Sequence, residues 1–242
     1  MTAPVAAPDT APMIDMEDVR FRWRPDDAPV IDIPVFSVTA GERVFLQGPS
    51  GSGKTTLLNL LGGVAAPQAG HIRIDGTELT ELGGAGRDAF RADHIGFIFQ
   101  MFNLIPYLSL IDNVTLPCRF SKARHEAAAA RSGNIEAEAR RLLAHMEIDG
   151  ADLSGRSAAA LSTGQQQRVA VARSLIGAPR LVIADEPTSA LDRDVRQAFM
   201  ALLFREVAEA GATLLFVSHD SGLAQDFDRK IALSDINRAG AP

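Results

Sequence analysis

A chain of 242 residues with 46% apolar and 22% charged side chains is long enough for one large α/β domain or two small layers around a shared core. Its formal charge of −6 argues against general affinity for nucleic acid or an anionic bilayer, since both attract basic faces. No run approaches the roughly 20 apolar residues of a membrane span, the N-terminus carries neither a basic nor an apolar leader segment, and Cys118, the single cysteine, leaves no intrachain disulfide and reads as a small core group. The chain is therefore expected in the cytoplasm, with any membrane link running through a protein.

Residues 1–13, mostly Ala, Pro and Thr, are too poor in apolar side chains to bury and read as a flexible tail. Alternation in Val19-Arg20-Phe21-Arg22-Trp23 and in Val35-Phe36-Ser37-Val38, separated by the Asp26-Asp27 turn, predicts an antiparallel β layer, which Gly70-His71-Ile72-Arg73-Ile74 can join before its Asp75-Gly76 turn. Between these lies Glu42–Gln47, a buried-strand candidate, and after it Gly48-Pro49-Ser50-Gly51-Ser52-Gly53-Lys54-Thr55-Thr56 and the helical run Leu57–Leu61. The loop matches G-x-x-x-x-G-K-[ST], the pattern that turns backbone N–H groups around phosphate oxygens at a helix N-terminus. In that reading Lys54 reaches the β- and γ-phosphates and the Thr55 hydroxyl ligates Mg²⁺; the plainer reading is a glycine-rich αβ turn with a surface lysine.

Ile95–Phe99 is a further buried-strand candidate ending in the amide of Gln100, and about 101–164 reads as a mainly helical subdomain. Within it, Ala123 to Met146 is helical and broken once at Ser132-Gly133-Asn134. A helix over Gln165–Ile176 precedes the continuous apolar strand Leu181–Ala184, which ends in Asp185-Glu186-Pro187. The amphipathic Val195–Ala208 leads to a last strong strand, Thr213–Val217, followed by Ser218-His219-Asp220. A parallel sheet would bring the phosphate loop, Asp185-Glu186 and His219 to one edge, where open α/β sheets place their ligand chemistry.

These residues together resemble the ATP-binding subunit of an ABC transporter, over nearly the whole chain from about 14 to 238, with 239–242 a short tail. Leu161-Ser162-Thr163-Gly164-Gln165 resembles the signature LSGGQ, with Thr163 in place of its first glycine; Leu181–Glu186 is similar to the Walker B strand, Ser189-Ala190-Leu191-Asp192 to the D-loop, Gln100 to the Q-loop glutamine and His219 to the switch histidine. The resemblance implies a P-loop NTPase α/β core with a mainly parallel sheet, an antiparallel β subdomain and an α-helical subdomain. It implies ATP and Mg²⁺ as ligands, the loop residues 48–56 on the phosphates, Trp23 stacked on adenine, and Thr55, Gln100 and Asp185 on the metal. Glu186 is implied as general base, assisted by His219 and Gln100. Ser162, Gly164 and Gln165 would complete the ATP site of a second subunit in a two-fold, nucleotide-dependent homodimer.

Phe97–Pro106 and Asp112–Pro117 further resemble the subunits of bacterial lipoprotein-release and macrolide-export systems, which implies an integral membrane permease partner and a peripheral place on the inner face of the cell membrane. Met101, Phe102, Leu104 and Ile105 would line the groove that receives the permease; the plainer reading is internal packing of the helical subdomain. The break at Ser132–Asn134, and Asp235-Ile236-Asn237 where an Asp-Gly turn is usual, depart from that subgroup. The alternatives are the ATPase of an importer, a soluble ABC-type ATPase acting on nucleic acid or ribosomes, and a binding switch with little turnover. A single phosphate loop, no heptad run and a net negative charge speak against the second, and an intact Glu186 and His219 against the third.

Overall fold

The computed structural model describes residues 11–148, 153, 155–189, 191 and 193–239. In chain order its strands are β1 (Pro12–Phe21), β2 (Ile31–Thr39), β3 (Arg43–Gln47), β4 (Ala69–Ile74), β5 (Thr77–Glu78), β6 (Ile95–Ile98), β7 (Leu181–Asp185), β8 (Thr213–Val217) and β9 (Arg229–Ala232). The helices are α1 (Lys54–Leu61), α2 (Gly84–His94), α3 (Leu110–Thr115), α4 (Lys122–Ser132), α5 (Ile135–His145), α6 (Thr163–Leu175), α7 (Arg193–Ala210) and α8 (Leu233–Ile236).

Strands β6-β7-β8-β3-β9 form a sheet in that order, every pair parallel, and its central members are apolar at consecutive positions because both faces are covered. The pleat sorts them. Val44, Leu46, Leu181, Ile183, Leu215 and Val217 face α1 and the antiparallel sheet β2-β1-β4-β5, while Phe45, Val182, Ala184, Leu214 and Phe216 face the cluster that contains α3, α5, α6 and α7. Two cores thus share one sheet, and the expected mixture of parallel core, antiparallel layer and helical part is what the chain forms.

The expected tail is too long by two residues. Pro12 pairs with Thr39, and Met13, 2% exposed, is packed in the core, with its carbonyl accepting from Asp75 N at 2.9 Å. A proline is tolerated there because the first residue of a strand need not donate to the ladder. The rest of that tail up to residue 10, and residues 240–242 of the terminal one, lie outside the described residues. Asn237, which breaks the usual turn pattern, works as a clasp instead: its Oδ1 accepts from Asp32 N at 2.8 Å and its Nδ2 donates to Val30 O at 3.0 Å, fastening the end of the chain to β2.

The break at Ser132–Asn134 is a capped reversal between α4 and α5. Gly133 adopts φ 86°, and Asn134 Oδ1 accepts from Ala137 N at 2.8 Å to start α5. Glu138, 2% exposed, locks the turn: it accepts from Ser132 Oγ at 2.5 Å and from Arg141 at 2.7 and 2.8 Å. Burial alone would raise its carboxyl, but the bonds from Arg141 and Ser132 hold it below the ordinary carboxylate value. A depressed folded-state value contributes stability that is present above the unfolded value and lost as pH falls through the folded one. Glu138→Gln is therefore expected to lower urea-unfolding stability by about 1–3 kcal/mol at neutral pH, with the gap to the parent chain closing as the solution is acidified.

Candidate functional site

The turn from β3 into α1 is set by its glycines. Gly53 has φ 100°, and a Cβ there would also meet Val30 O at 3.2 Å and Ile31 Cδ1 at 3.3 Å, so any other residue is both strained and crowded. Lys54, 8% exposed, folds back over the loop and donates from Nζ to Gly48 O at 2.7 Å and Pro49 O at 3.0 Å. Ser52 Oγ is buried with no hydrogen-bond partner among the described residues, and Thr55 stands at the open side of the turn. An unpaired buried hydroxyl, turned amides and a lysine form a cradle whose missing complement is an anion.

Strand β7 delivers the opposite charge. Asp185 pairs with Val217 in register, and the next residue, Glu186, turns out of the sheet with φ 45° while its N–H donates to Val217 O at 2.9 Å. Its carboxylate lies between the Lys54 ammonium, Nζ at 3.7 Å, and the His219 ring, Nδ1 at 3.0 Å. A carboxylate only accepts, so Nδ1 is the protonated ring nitrogen in this contact. Burial raises the Asp185 carboxyl first, the neighbouring Glu186 charge raises it further, and Lys54 opposes both. A carboxylate in that setting has use for a further cation.

Lys54, Thr55, Asp185 and Glu186 share a cavity of about 430 Å³ lined also by Trp23, Val30, Ser50, Gly51, Gly53, Thr56 and Gln100, whereas His219 lines a separate cavity with Ser189 and Arg196 and reaches the site only through Glu186. Trp23, 57% exposed and just beyond the end of β1, packs T-shaped with Phe21, ring centroids 4.9 Å apart, and offers exposed aromatic surface to the cavity. The oxygen donors of Thr55, Gln100 and Asp185 suit a hard divalent cation beside a bound polyphosphate.

Other expected residues lie elsewhere. Ser162, Gly164 and Gln165 are not among the lining residues: Ser162 starts α6 with a capping box, its Oγ accepting from Gln165 N at 3.3 Å while Gln165 Oε1 accepts from Ser162 N at 3.2 Å. Ala190 and Asp192 of the expected D-loop lie outside the described residues. Of the four residues expected in a partner groove, only Met101 is exposed. Phe102, with φ 58°, is turned into the core, where Arg173 holds its carbonyl and that of Asn103, and Leu104 packs on the helical cluster. The apolar groove is a neighbouring cavity of about 530 Å³ between α2 and the segment after α3, with Phe97, Phe99, Leu116, Pro117 and Phe120 on its walls. Arg196 on α7 carried no sequence signal, yet it donates to Asp220, beside His219, and to Leu191 O at 3.0 Å.

The family profile described as ABC transporter matches residues 32–189. The chain is 41% identical to the lipoprotein-releasing system ATP-binding protein LolD of Chromohalobacter salexigens, over 88% of this chain and 86% of that one. It is 38% identical to the macrolide export ATP-binding/permease protein MacB of Syntrophobacter fumaroxidans, over 92% of this chain but 30% of that longer one. Among solved structures, an ATP-binding cassette captured as a dimer in a post-hydrolysis state with ADP and inorganic phosphate superposes with a TM-score of 0.76 at 33% identity, covering 91% of this chain and 94% of that one.

Trp23 is the chain's one tryptophan, so its fluorescence reports on the cavity directly. Titration with ATP is expected to quench or shift that emission, and Lys54→Met is expected to weaken the titration on the order of tenfold to a hundredfold by removing a charged hydrogen-bond donor. An ATP titration that leaves the emission unchanged would remove Trp23 from the site.

Proposed function

Because the chain belongs to the ABC transporter family and is an ATP-binding, ATP-hydrolysing subunit of that family, we propose that it powers a membrane transporter of the lipoprotein-release or macrolide-export kind as a nucleotide-dependent homodimer. The observation that carries the catalytic part is Glu186 held between Lys54 Nζ at 3.7 Å and His219 Nδ1 at 3.0 Å at the mouth of the phosphate loop.

In this reading the amides of residues 48–56 and the Lys54 ammonium receive the β- and γ-phosphates, with Lys54 exchanging its two loop carbonyls for phosphate oxygens. Trp23 stacks on the adenine. Thr55, Asp185 and Gln100 hold Mg²⁺, which neutralises charge on the triphosphate oxygens. Glu186 accepts a proton from the attacking water, and His219 keeps that carboxylate and the γ-phosphate in line. Gln100, at the end of β6, carries the state of the site to the helical part.

Ser162, Gly164 and Gln165 complete the site of a second copy. Among the described residues the nearest atom to a Cβ built on Gly164 is Val195 Cγ1 at 3.8 Å, so none of them requires glycine there. A close approach from outside does. ATP contacting both copies only when they close would stabilise the closed dimer, and hydrolysis would release it. The exposed aromatic groove beside β6, with Met101 and Phe120 at 80% and 73% exposure nearby, is the surface for a helix of the permease, and through it the subunit sits peripherally on the inner face of the membrane.

Glu186→Gln is expected to abolish phosphate release while leaving ATP binding intact, and to give a dimer by light scattering in Mg-ATP. A monomer with and without nucleotide would contradict the dimer, and residual wild-type turnover would contradict the base.

A further inference from the structure

Helix α6 carries a polar side chain outside every motif named above. Gln167 has no exposed surface, its Nε2 donates to the carbonyl of Pro187, and among the described residues its Oε1 has no hydrogen-bond partner. Its helical neighbours Val169, Ala170 and Val171 are buried and apolar. A buried amide oxygen left unpaired is destabilising, and an apolar side chain of equal length would avoid that cost. The amide is therefore retained for the bond at its other end.

That bond falls on the residue directly after Glu186. The Glu186 backbone sits in the left-handed region at φ 45°, a conformation that a non-glycine residue keeps only when its surroundings enforce it. On the sheet side it is pinned by Glu186 N donating to Val217 O at 2.9 Å, and within the turn by Ser189 N donating to Glu186 O at 3.2 Å. On the helix side the turn is pinned by Gln167. The same helix begins at Thr163, with Ser162 as its cap, so Gln167 lies about 7.5 Å along the axis from Ser162 and about 4.5 Å from Gly164, both offered to a second copy.

We propose that Gln167 is a positioning residue for hydrolysis: it ties the Glu186-Pro187 turn, and with it the aim of the Glu186 carboxylate, to the signature end of α6. The inference rests on the reading of Glu186 as general base. A rigid helix of 13 residues cannot move its first turn without carrying Gln167 along. Contact between Ser162 or Gly164 and the nucleotide of a second copy therefore adjusts the base in the chain's own site, and each site senses whether the other is filled.

The test uses the full chain with Gln167→Met, which keeps length and loses the donor, and Gln167→Asn, which keeps an amide but withdraws it by one methylene. Both are expected to lower kcat by tenfold or more while KM and Trp23-reported ATP affinity stay within about twofold of the parent, because ground-state binding is untouched. In a Glu186→Gln background, Gln167→Met is expected to form the same ATP-stabilised dimer. Parental kcat in both variants, with Glu186→Gln inactive, would overturn this inference alone. Parallel loss of kcat, ATP affinity and melting temperature would assign Gln167 a merely structural role and equally overturn it. Turnover persisting in Glu186→Gln would remove the base assignment and this inference with it.

Discussion

Glu186, His219 and the loop carrying Lys54 meet because β7 pairs with β8 and β8 with β3, all parallel, so three strand ends leave the sheet at one edge. Parallel pairing of this kind needs both faces covered. The two cores supply that cover, one with α1 and the antiparallel sheet, the other with the helices beyond, and each takes alternate residues of the same three strands. The site's precision is thus inherited from the sheet: the backbone ladder sets the spacing of the strands that deliver Lys54 and His219, with Phe45 and Phe216 partners in register, both fully buried and with ring centroids 6.1 Å apart.

The charges gathered there oppose one another, with Lys54 set against the carboxylates of Asp185 and Glu186. An ammonium and a carboxylate 3.7 Å apart attract by about 4 kcal/mol at an intermediate effective dielectric, while withdrawing each from water costs several kcal/mol. Neither term dominates, so the Lys54–Glu186 contact is readily exchanged for a stronger anion such as a triphosphate. Asp185, whose ionised form is disfavoured first by burial and then by Glu186, gains correspondingly from any cation brought with the nucleotide.

Much of this was legible from residue order. Unbroken apolar runs at Leu181–Ala184 and Thr213–Val217 announced central strands, and the glycine loop announced the turn before α1, because both patterns follow from local geometry. Of the two readings open for Phe102, groove lining and internal packing, the structure has the second: its position depends on Arg173, some 70 residues away, holding its carbonyl, and no periodicity encodes that bond. Pro12 and Met13 were misread as tail because a short composition window cannot see Thr39 and Asp75 waiting across the sheet. The roles of Gln167 and Arg196 carry no sequence signal of their own for a related reason. Each is a polar residue in a helix, ordinary by composition, whose partner is a backbone carbonyl or a carboxylate on another element.

The central claim is that one nucleotide is gripped by Lys54 of one copy and by Ser162 and Gly164 of another. It is tested most directly by mixing two inactive variants, Lys54→Ala and Gly164→Asp, and measuring phosphate release. The space around Gly164 admits a side chain, so the second variant is expected to fold. In a mixed dimer both defects fall on one site and the other site is whole, so the account predicts that activity returns on mixing. A mixture as inactive as its components would contradict a site shared between two copies.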